Sequence, residues 1–199
     1  MTTPGVELYI GLMSGTSLDG VDAVLLHAEA DGRVRALAHE SQAFGPELRA
    51  ELLALNSPCD KELQRAALAA NAIARAYAQA CRSLLTAQRL VPQEIRALGA
   101  HGQTVRHRPG EFDGTGFTLQ LLNAPLLAEL SGIAVVHDLR SRDLAVGGQG
   151  APLVPAFHRA VLAQDGTDVV VLNVGGISNV SLLWADGRSG GFDWVPATA

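Results

Sequence analysis

Lysine is almost absent from this chain. Lys61 is the only one, beside fourteen arginines, so no Gly-x-x-x-x-Gly-Lys-Ser/Thr loop exists to grip a phosphate through an ammonium group. Lys61 falls in the first turn of a predicted helix, away from any glycine-rich loop, and gives Schiff-base chemistry no candidate either. A phosphate ligand would have to be held by backbone amides, hydroxyls and carboxylates. Cysteine is also scarce: Cys59 and Cys81 form no metal-ligand or redox spacing, and both are expected as reduced thiols of a cytosolic protein. No apolar run approaches the ~20 residues of a membrane span. The first five residues lack the basic and apolar regions of an export signal, so a cytoplasmic location is expected. The net charge of −5 supplies no basic field for nucleic acid or an anionic membrane. Ser14 and Ser17 raise the question of a hydrolase, but there is no Gly-x-Ser-x-Gly elbow. No Gly-x-Gly-x-x-Gly follows a strand, which argues against a dinucleotide oxidoreductase.

What the chain does have is a globular balance, 48% hydrophobic and 18% charged over 199 residues, enough for one large domain or one domain and part of another. Its richest stretch is residues 11–22, Gly-Leu-Met-Ser-Gly-Thr-Ser-Leu-Asp-Gly-Val-Asp. It lies between two strand-like runs, one alternating through Val6, Leu8, Ile10 and Leu12 and one nearly all apolar over 21–26. Gly15 and Gly20 would let the backbone come close to a ligand. Thr16 and Ser17 add hydroxyls, consecutive N–H groups can form an anion nest, and Asp19 and Asp22 suit a hydrated Mg²⁺ or a polarised hydroxyl. The stretch reads as a phosphate clamp, with an ordinary polar hairpin loop as the alternative.

Further along, a third strand is expected at 33–44 and a short helix at 46–55. A long helix is expected from about 60 to 89, with Asp60 as N-cap and Pro92 just past its end. Its apolar residues recur at i, i+3, i+4 and i+7, which is simple core packing. Strands follow at 95–100, 117–122 and 133–136, helices at 124–131 and 152–162, and strands at 168–174 and 180–184. Between the last two strands, Gly175, Gly176, Ile177, Ser178 and Asn179 repeat the opening logic of strand, small-residue loop, strand. Two such clamps suggest two related lobes closing on a nucleotide, with a boundary near 165: a first lobe over 1–165, including a connecting helix, and the start of a second over 166–199.

Four segments now carry a specific resemblance: 11–22, 99–109, 138–155 with its string Gly147-Gly148-Gln149-Gly150-Ala151-Pro152-Leu153-Val154-Pro155, and 172–179. Together they resemble the anhydro-N-acetylmuramic acid kinases, within the superfamily of sugar kinases, actin and heat-shock chaperone ATPases. The resemblance runs from about Tyr9 to Asp193. It implies an α/β fold, the actin-like or ribonuclease H-like ATPase fold, with the first lobe nearly complete and the second truncated. It implies a phosphotransferase that uses ATP, Mg²⁺ and water to convert 1,6-anhydro-N-acetylmuramic acid to N-acetylmuramic acid 6-phosphate in the recycling of cell-wall sugar. ATP would lie on Gly15, Thr16, Ser17, Leu18, Asp19, Gly20, Val21 and Asp22, and on Gly175 and Gly176. Asp143, the second aspartate of the Asp-Leu-Arg-Ser-Arg-Asp run at 138–143, would be the base that activates water. Arg140 and Arg142 would hold a carboxylate or phosphate by paired contacts; without the resemblance this run reads as a solvated charged loop. Gln103 and Thr104 would face the sugar. His101 and His107 have no zinc spacing and are expected as polar or core histidines, and His137 and His158 carry no assigned role. The partners implied are the amino sugar and ATP, with no nucleic acid and no membrane; a homodimer is compatible with this.

The sequence departs from the family after Gly191-Phe192-Asp193, where the family has Thr-Gly-Pro-Gly-Asn and this chain has Trp194-Val195-Pro196-Ala197-Thr198-Ala199. Codons for this tail, read in a shifted frame, can spell Gly-Pro-Gly-Asn. The expectation is a frameshifted N-terminal part of the kinase, and the alternative to an active enzyme is an inactive fragment that retains at most ligand binding.

Overall fold

A computed structural model describes residues 6–30, 32–174 and 178–194. The chain opens with a meander of three antiparallel strands, β1 (Val6–Met13), β2 (Gly20–Glu29) and β3 (Val34–Ala43). Helix α1 (Pro46–Ala54) and the long helix α2 (Glu62–Gln88) then carry the chain back across the sheet, so that β4 (Ile95–Ala100) pairs parallel with β1. A two-stranded ribbon, β5 (Gln103–Pro109) and β6 (Gly116–Leu121), leads to α3 (Ala124–Ser131) and β7 (Val135–His137), which pairs parallel with β4. The five-stranded sheet therefore runs β3-β2-β1-β4-β7. Three antiparallel strands extended by two parallel ones, with a helical crossover, make the expected α/β first lobe.

The core lies between this sheet and α2. Ile10, Leu12, Val21, Ala23 and Leu98 from the strands meet Ile73, Ala74, Tyr77, Ala78, Cys81 and Leu84 from the helix. The alanines of the stripe let the helix sit close to the sheet, and each fully buried large side chain contributes about 1.5–3 kcal/mol. The helix does not begin as expected. Asp60 is not its N-cap: Lys61 holds that place in the left-handed region at φ 55° with no capping side-chain bond, and Glu62 opens the helix. Glu62 accepts from Arg106 of β5 at 2.7 Å, and Arg106 also donates to the Leu55 carbonyl beyond α1. One cation thus ties the helix start to its neighbours in place of a cap.

The 138–143 run is not a loop. Asp138 takes a left-handed turn at φ 60°, and α4 (Leu139–Ala145) follows. Helix α5 (Val154–Leu162) begins two residues later than expected at its N-terminus, and packs on a second sheet made of β8 (Val169–Asn173), β9 (Ser178–Leu183) and β10 (Ser189–Trp194), ordered β10-β9-β8 and antiparallel throughout. Arg159 of α5 donates to the Trp184 carbonyl at 2.9 Å, and His158 pairs with the buried Ser181 hydroxyl at 2.8 Å. Among the described residues, no helix is long and apolar enough to cross a membrane.

Candidate active site

The parallel strands β1, β4 and β7 all end on the same side of the sheet, which is where open α/β sheets place their ligands. Each delivers a polar segment there: the loop 14–19 after β1, His101 and Gly102 after β4, and α4 after β7. With the facing edge of the second sheet they enclose a cavity of about 790 Å³.

The loop after β1 is braced from beneath by buried polar groups. The Ser14 hydroxyl is 2.8 Å from the hydroxyl of Tyr77 and donates to the Gly102 carbonyl at 3.3 Å, which leaves Tyr77 to donate to Ser14. The amide of Gln103 donates to the Gly15 carbonyl at 3.0 Å. Burial pushes the Tyr77 phenol up to about 12, so it stays protonated and able to donate. Gly15, Thr16 and Ser17 line the cavity above these braces.

The rest of the expected clamp is distributed differently. Leu18 and Val21 are buried in the core, Leu18 at φ 55°. Gly20 is required by its neighbour rather than by a ligand, because a Cβ there would overlap the Gln42 carbonyl of β3. Asp22 lies on β2 and accepts from Ser41 and pairs with His39 of β3. Asp19 is exposed and accepts from the Ser17 hydroxyl at 2.9 Å. Gly175 and Gly176 lie outside the described residues.

Asp143 is tied into the turn that follows α4. Its Oδ2 accepts from the Gly150 amide at 2.7 Å, and its own carbonyl accepts from the Gly148 amide at 2.9 Å. A Cβ on Gly148 would overlap the Asp143 carboxylate, so the missing side chain is the space the carboxylate occupies. The Gly-Gly-Gln-Gly string is therefore a turn folded around one carboxylate, which explains why glycine stands at 148. Arg140 is engaged: its Nε donates to His101 Nε2 at 2.9 Å and its terminal nitrogen to the Gly150 carbonyl at 2.5 Å. Arg140 lines the cavity, whereas neither the exposed Arg142 nor the half-buried Asp143 is among its lining residues.

Of the two residues expected to face the sugar, Thr104 lines the cavity, whereas Gln103 is fully buried under the loop. Alternation along β5 sends neighbouring side chains to opposite faces, so one replaces the other. The partner of Thr104 is a residue that sequence reasoning missed. Gln120 stands opposite it in the β5–β6 register, lines the cavity, and donates to the hydroxyls of Thr104 at 3.2 Å and Thr118 at 2.7 Å. Asp193 was missed as well; from β10 it brings to the cavity the one carboxylate among its described lining residues, and its charge acts on both Arg140 and His107. The cross-strand register could have revealed Gln120; nothing in the glycine-rich β10 sequence signalled a strand.

Residues 7–199 match the family described as anhydro-N-acetylmuramic acid kinase. Among proteins bearing that name, one from Variovorax paradoxus (strain S110) is 61% identical over 198 residues, covering 97% of this chain and 52% of that protein. One from Bordetella avium (strain 197N) is 59% identical over 196 residues, covering 98% and 50%. One from Thiobacillus denitrificans (strain ATCC 25259 / T1) is 54% identical over 194 residues, again covering 98% and 50%. The chain spans about half the length of the curated relatives it matches.

Proposed function

Because the chain belongs to the anhydro-N-acetylmuramic acid kinase family, we propose that its cavity binds 1,6-anhydro-N-acetylmuramic acid beside the terminal phosphate of ATP and supplies the groups that act on the sugar. The observation that carries this reading is the Asp143 carboxylate, half-buried and held by the Gly150 amide in a turn whose Gly148 leaves room for it. A carboxylate fixed by one oxygen keeps the other available to take a proton.

In this reading Asp143 removes a proton from water as the water oxygen bonds to the anomeric carbon. The bond from that carbon to O6 breaks, and O6 bonds to the γ-phosphorus as the bridging oxygen leaves with ADP. The proton rests on Asp143 and charge is conserved. Gly15, Thr16 and Ser17, on a loop braced by Tyr77 and Gln103, offer amides and hydroxyls to the phosphates. Thr104 and Gln120 offer hydrogen bonds to the sugar. The exposed Asp19 fits a hydrated Mg²⁺, which takes one or two carboxylates together with phosphate oxygens and would neutralise phosphate charge. The free thiols of Cys59 and Cys81 support a reducing, cytoplasmic setting.

The test is product formation. The chain is incubated with ATP, Mg²⁺ and the anhydro sugar, alone and fused to the C-terminal half of the Variovorax paradoxus relative, and N-acetylmuramic acid 6-phosphate is measured by mass spectrometry. The fusion is expected to form product and Asp143→Asn in it to lose roughly 10²–10⁴-fold, the usual worth of a general base. A folded fusion that keeps turnover within about tenfold after the substitution removes Asp143 from the role. A second reading, a chain that binds ligand without turnover by itself, is favoured by the open apolar residues of β8 and β10; efficient turnover by the unfused chain would exclude it.

A further inference from the structure

His101 follows the carboxyl end of β4 and lines the cavity, yet neither a metal nor a core role accounts for its contacts. Its Nδ1 lies 2.7 Å from the Gly102 carbonyl. A carbonyl only accepts, so Nδ1 carries the hydrogen. Nε2 is then the unprotonated nitrogen, and it accepts from Arg140 Nε at 2.9 Å. Arg140 extends the chain of contacts by donating to the Gly150 carbonyl, and the Gly150 amide donates to Asp143. One peptide unit away from that carbonyl, the same glycine therefore holds the carboxylate. We propose that neutral His101 is a positioning residue: it aims the Arg140 guanidinium at Gly150 and thereby sets the turn that holds Asp143.

The arrangement works with one protonation state only. A second proton on the ring would occupy Nε2, abolish the acceptor and set imidazolium against guanidinium. Burial first, and the Arg140 charge second, hold the imidazole below the usual histidine range, so the neutral form prevails at neutral pH. The other groups facing the pair are Tyr77 of α2, beside Gly102; His107 of β5; His158 of α5; and Asp193 of β10, whose carboxylate attracts Arg140 across the cavity. Asp193 leaves the guanidinium pulled from two sides, by His101 and by a carboxylate. If His101 ceases to accept, the pull from Asp193 is what remains to move Arg140 off Gly150.

The significance for turnover rests on Asp143 acting as base, but the positioning is measurable in the 199-residue chain without it. The chain is labelled with ¹⁵N, and histidine rings, the Arg140 Nε–H and the Gly150 amide are followed by NMR from pH 8 to pH 5. His101 is expected in the Nδ1–H form at pH 8, and the Arg140 and Gly150 signals are expected to shift with the His101 midpoint. His101→Gln, whose amide oxygen can accept from Arg140, should keep the pH 8 position of the Gly150 signal and remove its inflection. His101→Phe should displace that signal at every pH and, in the fused enzyme, lower kcat by about 10²-fold, as misplacement of a reacting group by an ångström does, with KM for ATP unchanged. An Nε2–H ring, or a Gly150 signal that ignores the His101 titration, overturns the proposal. A chain that titrates as described but whose fusion makes no product overturns the kinase reading and leaves this one standing.

Discussion

The two sheets of this molecule contrast sharply in how their apolar residues are used. In the first, Ile10, Ile73, Tyr77 and Leu98 are fully buried between strands and α2. In the second, Val170 and Leu172 of β8 and Phe192 and Trp194 of β10 remain more than half exposed, although α5 packs on β9 and β10. The run Val169-Val170-Val171-Leu172 has the continuous apolar character of a strand covered on both faces. An apolar pattern records what a strand needs around it; the fold decides whether it is supplied. β8 is also an edge strand, with a row of backbone groups available for pairing. The cavity lies between a region with its own core and a region that has little.

The largest effect expected from this contrast is at Ile73. Ile73→Ala should cost about 2–5 kcal/mol in chemical denaturation, through lost burial and the cavity left behind, while the same truncation at Leu172 should cost far less. Equal losses at the two sites would erase the distinction. Next is Tyr77→Phe, which removes the donor to Ser14 under the loop after β1 and should cost about 1–3 kcal/mol, as for a buried polar group left without its partner. A loss well below that would mean that Ser14 is held by Gly102 alone. The same hydroxyl sharpens the comparison through pH. Its folded pKa, about 12, lies above the ordinary tyrosine value, so the stability it contributes is complete below the ordinary value and is lost as pH rises toward 12. Denaturation midpoints measured up that range should fall in the parent and fall less in Tyr77→Phe. The smallest effect is expected at Leu172→Thr: stability within about 0.5 kcal/mol of the parent, with solubility raised because an exposed apolar side chain is gone. A large destabilisation would show that β8 is covered in solution.

The first three strands, the long helix and the strand β4 were legible because their apolar spacing matches their structure over long runs; that β4 returns parallel to β1 was not. The β5–β6 ribbon was harder, since Gln103, Thr104, Arg106, His107 and Arg108 carry no apolar alternation. β10, with Gly190 and Gly191, has little strand propensity and is held by pairing to β9. The candidate site was legible in its segments and not in its side chains. That Gln103 points under the loop while Thr104 points into the cavity depends on which face of β5 meets α2. That Gly20 serves β3 and Gly148 serves Asp143 depends on what lies opposite each, and a lone sequence does not display opposites.

The braces beneath the loop after β1 have a consequence for the order in which the chain folds. β1, β2 and β3 are sequence neighbours joined by short turns, and their pairing closes small loops at low entropic cost. Ser14 to Gly102 and Gln103 to Gly15 each join residues 88 apart. The loop leaves β1 early in synthesis, but the braces from Tyr77, Gly102 and Gln103 reach it only after α2 has crossed and β4 has docked. A folding intermediate holding only the meander would carry every residue of the loop and none of its long-range braces. If the loop holds phosphate as proposed, that affinity should emerge in step with the slow, long-range pairing, and its time course would report when the crossover closes.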